Sequence, residues 1–221
     1  MTDRRGRGRP RETDTDTDTS AAISRAALTR FAAQGFEATS LREIAADAGV
    51  DVALISYRFG GKQGIWKAIV VQAAQDLSAA LDTAAADTEG ADTEGADTKR
   101  AGAQTRLHQS ARAFIAFLLA RPEVPQLLLR DITVDSERSA WLLDTLSLPL
   151  HHHFIELAEA AAAEGEGARA HLQFRVANFI YSAASTVARR ERLAKLVDGI
   201  GSDAEFAAAL EQTLVEGALL P

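Results

Sequence analysis

Apolar residues recur along the chain at helical spacing, with hardly any alternation of period two. Ile23, Ala27, Leu28 and Phe31 fall on one stripe that ends at Gly35, which predicts a first helix. Thr39 to Glu43 opens a second, with Ser40 and Glu43 spaced as a capping box, and Ala48-Gly49 closes it. A short third helix is predicted from Asp51 to about Tyr57, stopped by Gly60 and Gly61. A fourth runs from Lys62 through Trp66, Ile69, Val70, Ala73 and Leu77 towards Ala85. Further helices are predicted over residues 103–120, 123–134, 137–163, 169–198 and 203–217. Their breaks are Pro122 and Pro125, Asp135-Ser136, Gly165 with Gly167, and Gly199 with Gly201. The expected fold class is all-α, with about nine helices.

Three stretches have no side chains with which to build a core. Residues 1–11 are rich in Arg, Gly and Pro, Thr13 to Thr19 alternates Thr with Asp, and residues 87–98 repeat Ala-Asp-Thr-Glu-Gly. Chains of this composition cannot bury enough apolar surface to offset the entropy of ordering. The expected organisation is therefore a disordered arm over 1–19, a three-helix unit over 20–66, and a larger helical unit over 67–221 with a disordered linker at 87–98.

The chain has 221 residues, 47% of them apolar, enough for one or two domains with a sizeable core. It has no cysteine, which excludes a disulfide framework and thiolate metal sites and fits a reducing cytoplasm. No apolar run approaches the roughly 20 residues that a membrane helix needs, so no membrane partner is expected. The arginine-rich start leads into a Thr/Asp tract rather than an apolar segment, unlike a secretory leader. The net charge of −7 argues against a nucleic-acid partner until its distribution is considered. Residues 1–67 hold 11 Lys/Arg against 9 Asp/Glu, whereas the rest holds 13 against 22. Five arginines fall in the first eleven residues. That asymmetry suggests one DNA-facing end on an acidic body.

A helix, the turn Ala48-Gly49-Val50 and a short helix have the layout of a helix-turn-helix. Gly49 allows the tight turn, and Ile44, Ala45, Val50 and Ile55 are suited to locking the two helices together. The outer face of the second helix is then available to a major groove, which is wide enough for one helix. The residues themselves carry a stronger signal. The run Phe31 to Ala45, the turn Ala48-Gly49-Val50 and the segment Tyr57-Arg58-Phe59-Gly60-Gly61-Lys62 resemble the N-terminal domain of TetR-family repressors, over about 45 residues from Ile23 to Trp66.

That resemblance implies a sequence-specific regulator, a repressor released from operator DNA by a small-molecule effector. Ser40 would meet a phosphate, Arg42 a phosphate or a base edge, and Val52 and Ala53 would face bases. Tyr57, Arg58 and Lys62 would hold the backbone. Leu54 and Ser56 depart from the family's usual residues, which bears on base contacts and leaves Ser56 a short side chain at the interface. Other readings stand beside these: Tyr57 and Phe59 as a core plug, Lys62 as a solvated lysine, and Arg42 paired with Glu43 or Asp47. The arm Arg7-Gly8-Arg9-Pro10-Arg11 resembles an AT-hook, whose arginines Arg7 and Arg9 would enter a narrow A·T-rich minor groove; a solubilising tail is the alternative. An architectural AT-hook protein with a helical scaffold is the rival function.

Operators with two-fold symmetry require a dimer. Val176, Phe179, Ile180, Ala183 and Val187 form one apolar stripe and Phe206, Leu210 and Leu214 another. By resemblance these would pair across a homodimer; in a monomer they would be core. Trp66, His108, Phe114, Phe117, Arg130, Trp141, His151 and Phe154 are the candidate lining of an effector pocket. His151, His152 and His153 point about 100° apart on a helix and cannot all bind one ion, so no metal is expected, and no cofactor. No G-x-S-x-G, H-E-x-x-H or P-loop spacing is present, so an enzyme is not expected.

Overall fold

The computed structural model describes residues 12–86, 96–132, 136–162 and 171–219. Among the described residues the chain is helical and without strands, as the periodicity predicts. It divides into two compact units, Met1–Ile69 and Val70–Pro221. The basic arm with Arg7 and Arg9 lies outside the described residues, as do residues 87–95 of the repeat.

The first unit is built on α1 (Glu12–Gln34), α2 (Leu41–Ala48), α3 (Val52–Phe59) and the start of α4 (Lys62–Ala86). Ile23, Ala27 and Phe31 of α1 are buried, as are Ile44 and Ala45 of α2, Ile55 of α3, and Ile65 and Trp66 of α4. The α1 stripe follows its i, i+4, i+8 spacing, and Phe31 meets Phe36 at a ring separation of 5.3 Å. α1 begins earlier than composition suggests. The Thr/Asp stretch expected to be unfolded continues the helix back to Glu12. Thr and Asp are weak helix formers, but acidic residues in the first turns of a helix carry the charge that its dipole favours there.

The second unit holds the rest of α4, α5 (Ala96–Ala120), α6 (Glu123–Ile132), α7 (Glu137–Leu142), α8 (Leu148–Ala161), α9 (Leu172–Ala188), the short α10 (Arg190–Leu193) and α11 (Asp203–Leu210). A π-helical stretch, Leu143–Ser147, joins α7 to α8, and a second, Glu211–Leu219, continues α11. The residues Ala96 to Thr98, expected in the linker, belong to α5. Ser136 caps α7 by accepting the Ser139 N–H at 3.1 Å, so a break signalled only by Asp135-Ser136 is real. α5 packs along α8, and α9 runs against α6, α8 and the C-terminal π stretch. Phe114, Phe154 and Phe179 meet at the centre with ring separations of 5.4–5.9 Å.

This packing corrects the expected subunit interface. Val176, Phe179, Ile180, Ala183 and Val187 are at most 5% exposed, and Phe206 and Leu210 are equally enclosed, with Leu214 packed against the same cluster. They form the core of a single chain, and of these residues Leu214 alone keeps partial exposure. Periodicity identifies the face that is covered; it does not say whether the same chain covers it.

His153 of α8 sits half-buried against this core, its Nε2 3.3 Å from the hydroxyl of buried Ser110. Burial pushes its imidazole below the ordinary histidine value, against the opposing pull of Asp82 and Glu156. The unfolded chain then takes up the proton first as pH falls, so stability should drop as pH passes below about 6.5. Urea unfolding midpoints at pH 7.5 and 5.5 should fall for the native chain and differ less for His153→Gln. Equal shifts in both would assign the effect to other groups.

Candidate nucleic-acid interface

The scaffold under the candidate interface is polar as well as apolar. Ser40 caps α2, accepting the Glu43 N–H at 3.3 Å while the Glu43 carboxylate takes the Ser40 N–H and hydroxyl, each at 2.8 Å. Arg30 reaches from α1 to Glu43 at 2.9 Å and forks onto both oxygens of Asp47. The backbone N–H of Ser40 holds the Glu43 carboxyl below its usual range, and the Arg30 hydrogen bond does the same for Asp47. The two carboxylates that could have neutralised Arg42 thus face Arg30, and Arg42 is exposed. At the far end of α2, Gly49 adopts φ +66° and the Val50 N–H returns to the Ala45 carbonyl at 3.0 Å. The space around Gly49 is open, so it is the left-handed backbone that demands glycine there.

Asp51 caps α3, its carboxylate accepting the Ala53 N–H at 2.7 Å. Ala53, Ser56 and Tyr57 stand exposed at i, i+3 and i+4, one continuous face, while Ile55 is buried on the opposite side. Tyr57 is 88% exposed, which removes the core-plug reading, and Phe59 is half-buried. Val52 is half-buried at the edge of the exposed face, and the Ser56 hydroxyl donates back to the Val52 carbonyl at 3.3 Å.

Two expected backbone contacts point elsewhere. Arg58 turns inward and donates to the Ser20 hydroxyl of α1 at 2.8 Å. Lys62 sets its ammonium among the carbonyls of Phe36, Glu37 and Thr39 at 2.8–3.4 Å and over the Phe36 ring at 4.4 Å. An ammonium has three protons, and three carbonyls account for them. Lys62 therefore clamps the α1–α2 turn rather than projecting to solvent or to a phosphate. Sequence reasoning passed over two members of this scaffold, Arg30 and Gly64. A Cβ on Gly64 would lie 1.6 Å from the Phe59 carbonyl oxygen, so the start of α4 can cross the end of α3 only with glycine there. The local signal for it is a glycine within the first turn of a helix.

In the second unit, α4, α5, α6, α8, α9 and the π-helical stretch Leu143–Ser147 line a cavity of about 60 Å³. Its walls are apolar apart from Ser147, His151 and Tyr181. Of the expected lining, Phe114, Phe117 and His151 are there. The others stand apart: Trp66 is buried in the first unit, Phe154 is core, Arg130 is exposed, Trp141 does not line the cavity, and His108 meets Glu211 at 3.1 Å. His151 donates from Nδ1 to the Ser147 carbonyl at 2.6 Å, which fixes its tautomer when neutral and leaves Nε2 as an acceptor. The histidine run divides, with His151 at the cavity, His152 exposed and His153 against Ser110.

Comparison with known proteins agrees with this geometry. Residues 23–69 match the family model of bacterial regulatory proteins, tetR family. The probable HTH-type transcriptional regulator YttP of Bacillus subtilis strain 168 is 29% identical over 158 residues, covering 72% of this chain and 70% of its own length. Among solved structures, a tetR-family regulatory protein from Rhodococcus RHA1 superposes with a TM-score of 0.63 at 20% identity, over 92% of this chain and 98% of that one. The fatty acid degradation regulator FadR of Bacillus halodurans does so with a TM-score of 0.59 at 13% identity, over 98% and 100%. At those identities the structural likeness shows a shared fold. Residues 23–69 thus build a helix-turn-helix that matches the tetR family model, and the chain as a whole is similar in sequence and fold to DNA-binding transcription regulators of that kind.

Proposed function

We propose that the chain is a sequence-specific repressor that holds its operator as a homodimer and releases it when a small molecule enters the larger unit. One observation carries the DNA-binding half: the bare face of α3, with Ala53, Ser56 and Tyr57 exposed over an anchored Ile55. A helix presented this way fits the major groove. In this reading residues 20–66 bind DNA, and residues 67–221 dimerise and respond to the effector, in the cytoplasm and without catalysis or a cofactor. Asp51 already occupies the N-terminus of α3, which leaves phosphate contact to Tyr57, Ser40 and Arg42, with Arg7 and Arg9 following the minor groove. The dimer face would be the outer side of α9, where Phe174 is 72% exposed.

The effector would be a mostly apolar molecule with one hydrogen-bonding end, apolar against Phe114 and Phe117 and polar against His151 and Tyr181. A ligand that pushes the walls of this small cavity apart would favour a different packing of the unit, which is a route by which binding could alter the fold's preferred state. Linkage requires the operator to lower that ligand's affinity by the factor by which the ligand weakens operator binding, typically 5–150-fold.

Selection of DNA from a random pool, followed by footprinting under excess competitor, tests the reading. A defended two-fold site is expected, with thymines opposite Val52 and Ala53, since neither side chain can hydrogen-bond and both can touch a methyl group. Thymine-to-uracil replacement there should cost about 1 kcal/mol or less per site, below a full bidentate pair. A footprint that vanishes under competitor DNA would overturn sequence-specific control and favour architectural binding by the arm.

A further inference from the structure

Away from both the helix-turn-helix and the apolar cavity, three potential metal ligands converge in the second unit. They are His108 of α5 and Glu211 and Glu216 of the C-terminal π-helical stretch, and their ligand atoms all lie within 4.8 Å of one another. The winding of that stretch brings its two carboxylates together. In an α-helix residues five apart point about 140° away from each other. In a π-helix, whose hydrogen bonds run from i to i+5 and whose turn takes more residues, that angle narrows and the two side chains come to the same side. Glu216 therefore stands on the side of Glu211, and both face His108, whose Nε2 is 3.1 Å from a Glu211 oxygen. Arg112, one turn further along α5, approaches the same Glu211 oxygen at 3.3 Å.

We propose that His108, Glu211 and Glu216 bind one divalent transition-metal ion, zinc being the best fit, with water completing the coordination. One imidazole and two carboxylates suit a borderline cation, whereas an imidazole is a poor ligand for calcium or magnesium. Three protein ligands with one open position is a common zinc arrangement, at bond lengths of about 2.0–2.2 Å. Tetrahedral ligands at those lengths stand about 3.4 Å apart, so the present cluster has to close by roughly 1 Å. His108 and Glu211 are already in contact, and the exposed Glu216 is the side chain that has to move. Without an ion, the Arg112 guanidinium offsets the repulsion between the carboxylates; with one, the ion replaces Arg112 at Glu211. The bound ion would tie the C-terminal stretch to α5, a link between segments about a hundred residues apart in the chain.

The test uses the full chain, stripped with chelator and titrated with zinc chloride by calorimetry, with thermal melts in parallel. One zinc per chain is expected, with a rise in Tm that follows occupancy. Glu216→Gln and His108→Gln should each weaken binding at least about tenfold, the scale on which even supporting groups act at zinc sites. Arg112→Ala should bind zinc at least as tightly as the native chain, because it removes a competing cation. Glu216 is exposed, so its glutamine variant should melt like the native protein without metal. No stoichiometric zinc binding by the native chain would overturn the proposal and leave an ordinary ion-paired cluster. So would equal affinity in the Glu216→Gln and His108→Gln variants, which would assign the ion to another site such as the exposed His152.

Discussion

Phe179→Asp should unfold the larger unit rather than separate two subunits. Phe179 is fully buried, with its ring 5.9 Å from Phe114 and 5.4 Å from Phe154. Truncating a buried phenylalanine typically costs about 3–5 kcal/mol, and an unpaired carboxylate in its place adds several more. Domains of this size are stable by about 5–15 kcal/mol, so the loss is comparable to the whole. The variant should lose its cooperative melt, its protection from protease and much of its helical circular dichroism. Phe174→Asp, on the exposed side of the same helix, should keep the native melt to within about 0.5 kcal/mol. If Phe174 belongs to the dimer face, it should also show weaker association by light scattering. A Phe179→Asp chain that stays folded and only changes its association state would put Phe179 back at a subunit interface.

That contrast shows where legibility ends. The stripe from Val176 to Val187 was visible because burial repeats every 3.6 residues, but the identity of the covering surface is a tertiary fact. The exposed face of α3 was legible for the same reason, since Ala53, Ser56 and Tyr57 lie opposite an obvious apolar anchor at Ile55. The capping box of Ser40 and Glu43 was legible because its chemistry is local. Partners far apart in the chain were not. Arg30 meets Asp47 across 17 positions, and Lys62 meets Phe36 across 26. Gly64 is required by a carbonyl five residues earlier that approaches it only because the chain turns at Gly60 and Gly61. The Thr/Asp stretch failed in the opposite sense, because composition measures what a segment can bury and not what a neighbouring helix can extend into. In the cavity, aromatic content alone could not separate Phe114 and Phe117, which line it, from Phe154, which packs behind.

Lys62→Ala should damage the fold of the first unit while leaving the salt dependence of DNA binding unchanged. Its ammonium bridges the carbonyls of Phe36 and Thr39 at 2.8 and 3.0 Å, in the turn that sets α2 against α1. Hydrogen bonds to charged groups contribute about 1.5–3 kcal/mol, and removal leaves the part-buried carbonyls unsatisfied. A lower melting transition in the first unit is therefore expected, and weaker operator binding should follow from the smaller folded fraction. A phosphate anchor behaves differently, because each neutralised phosphate releases counterions. Its loss makes the plot of log affinity against log salt shallower by about one unit. Arg42, exposed and with Glu43 and Asp47 turned to Arg30, is the residue expected to behave that way. Arg42→Ala should keep the native melt and lose about one unit of slope on operator and random DNA alike. Both variants should be titrated at several salt concentrations, at a temperature where Lys62→Ala is still folded. A native melt with a reduced slope for Lys62→Ala would mean that its ammonium leaves the carbonyls for a phosphate in the complex. A native slope for Arg42→Ala would move the backbone contact to Tyr57 and the arm.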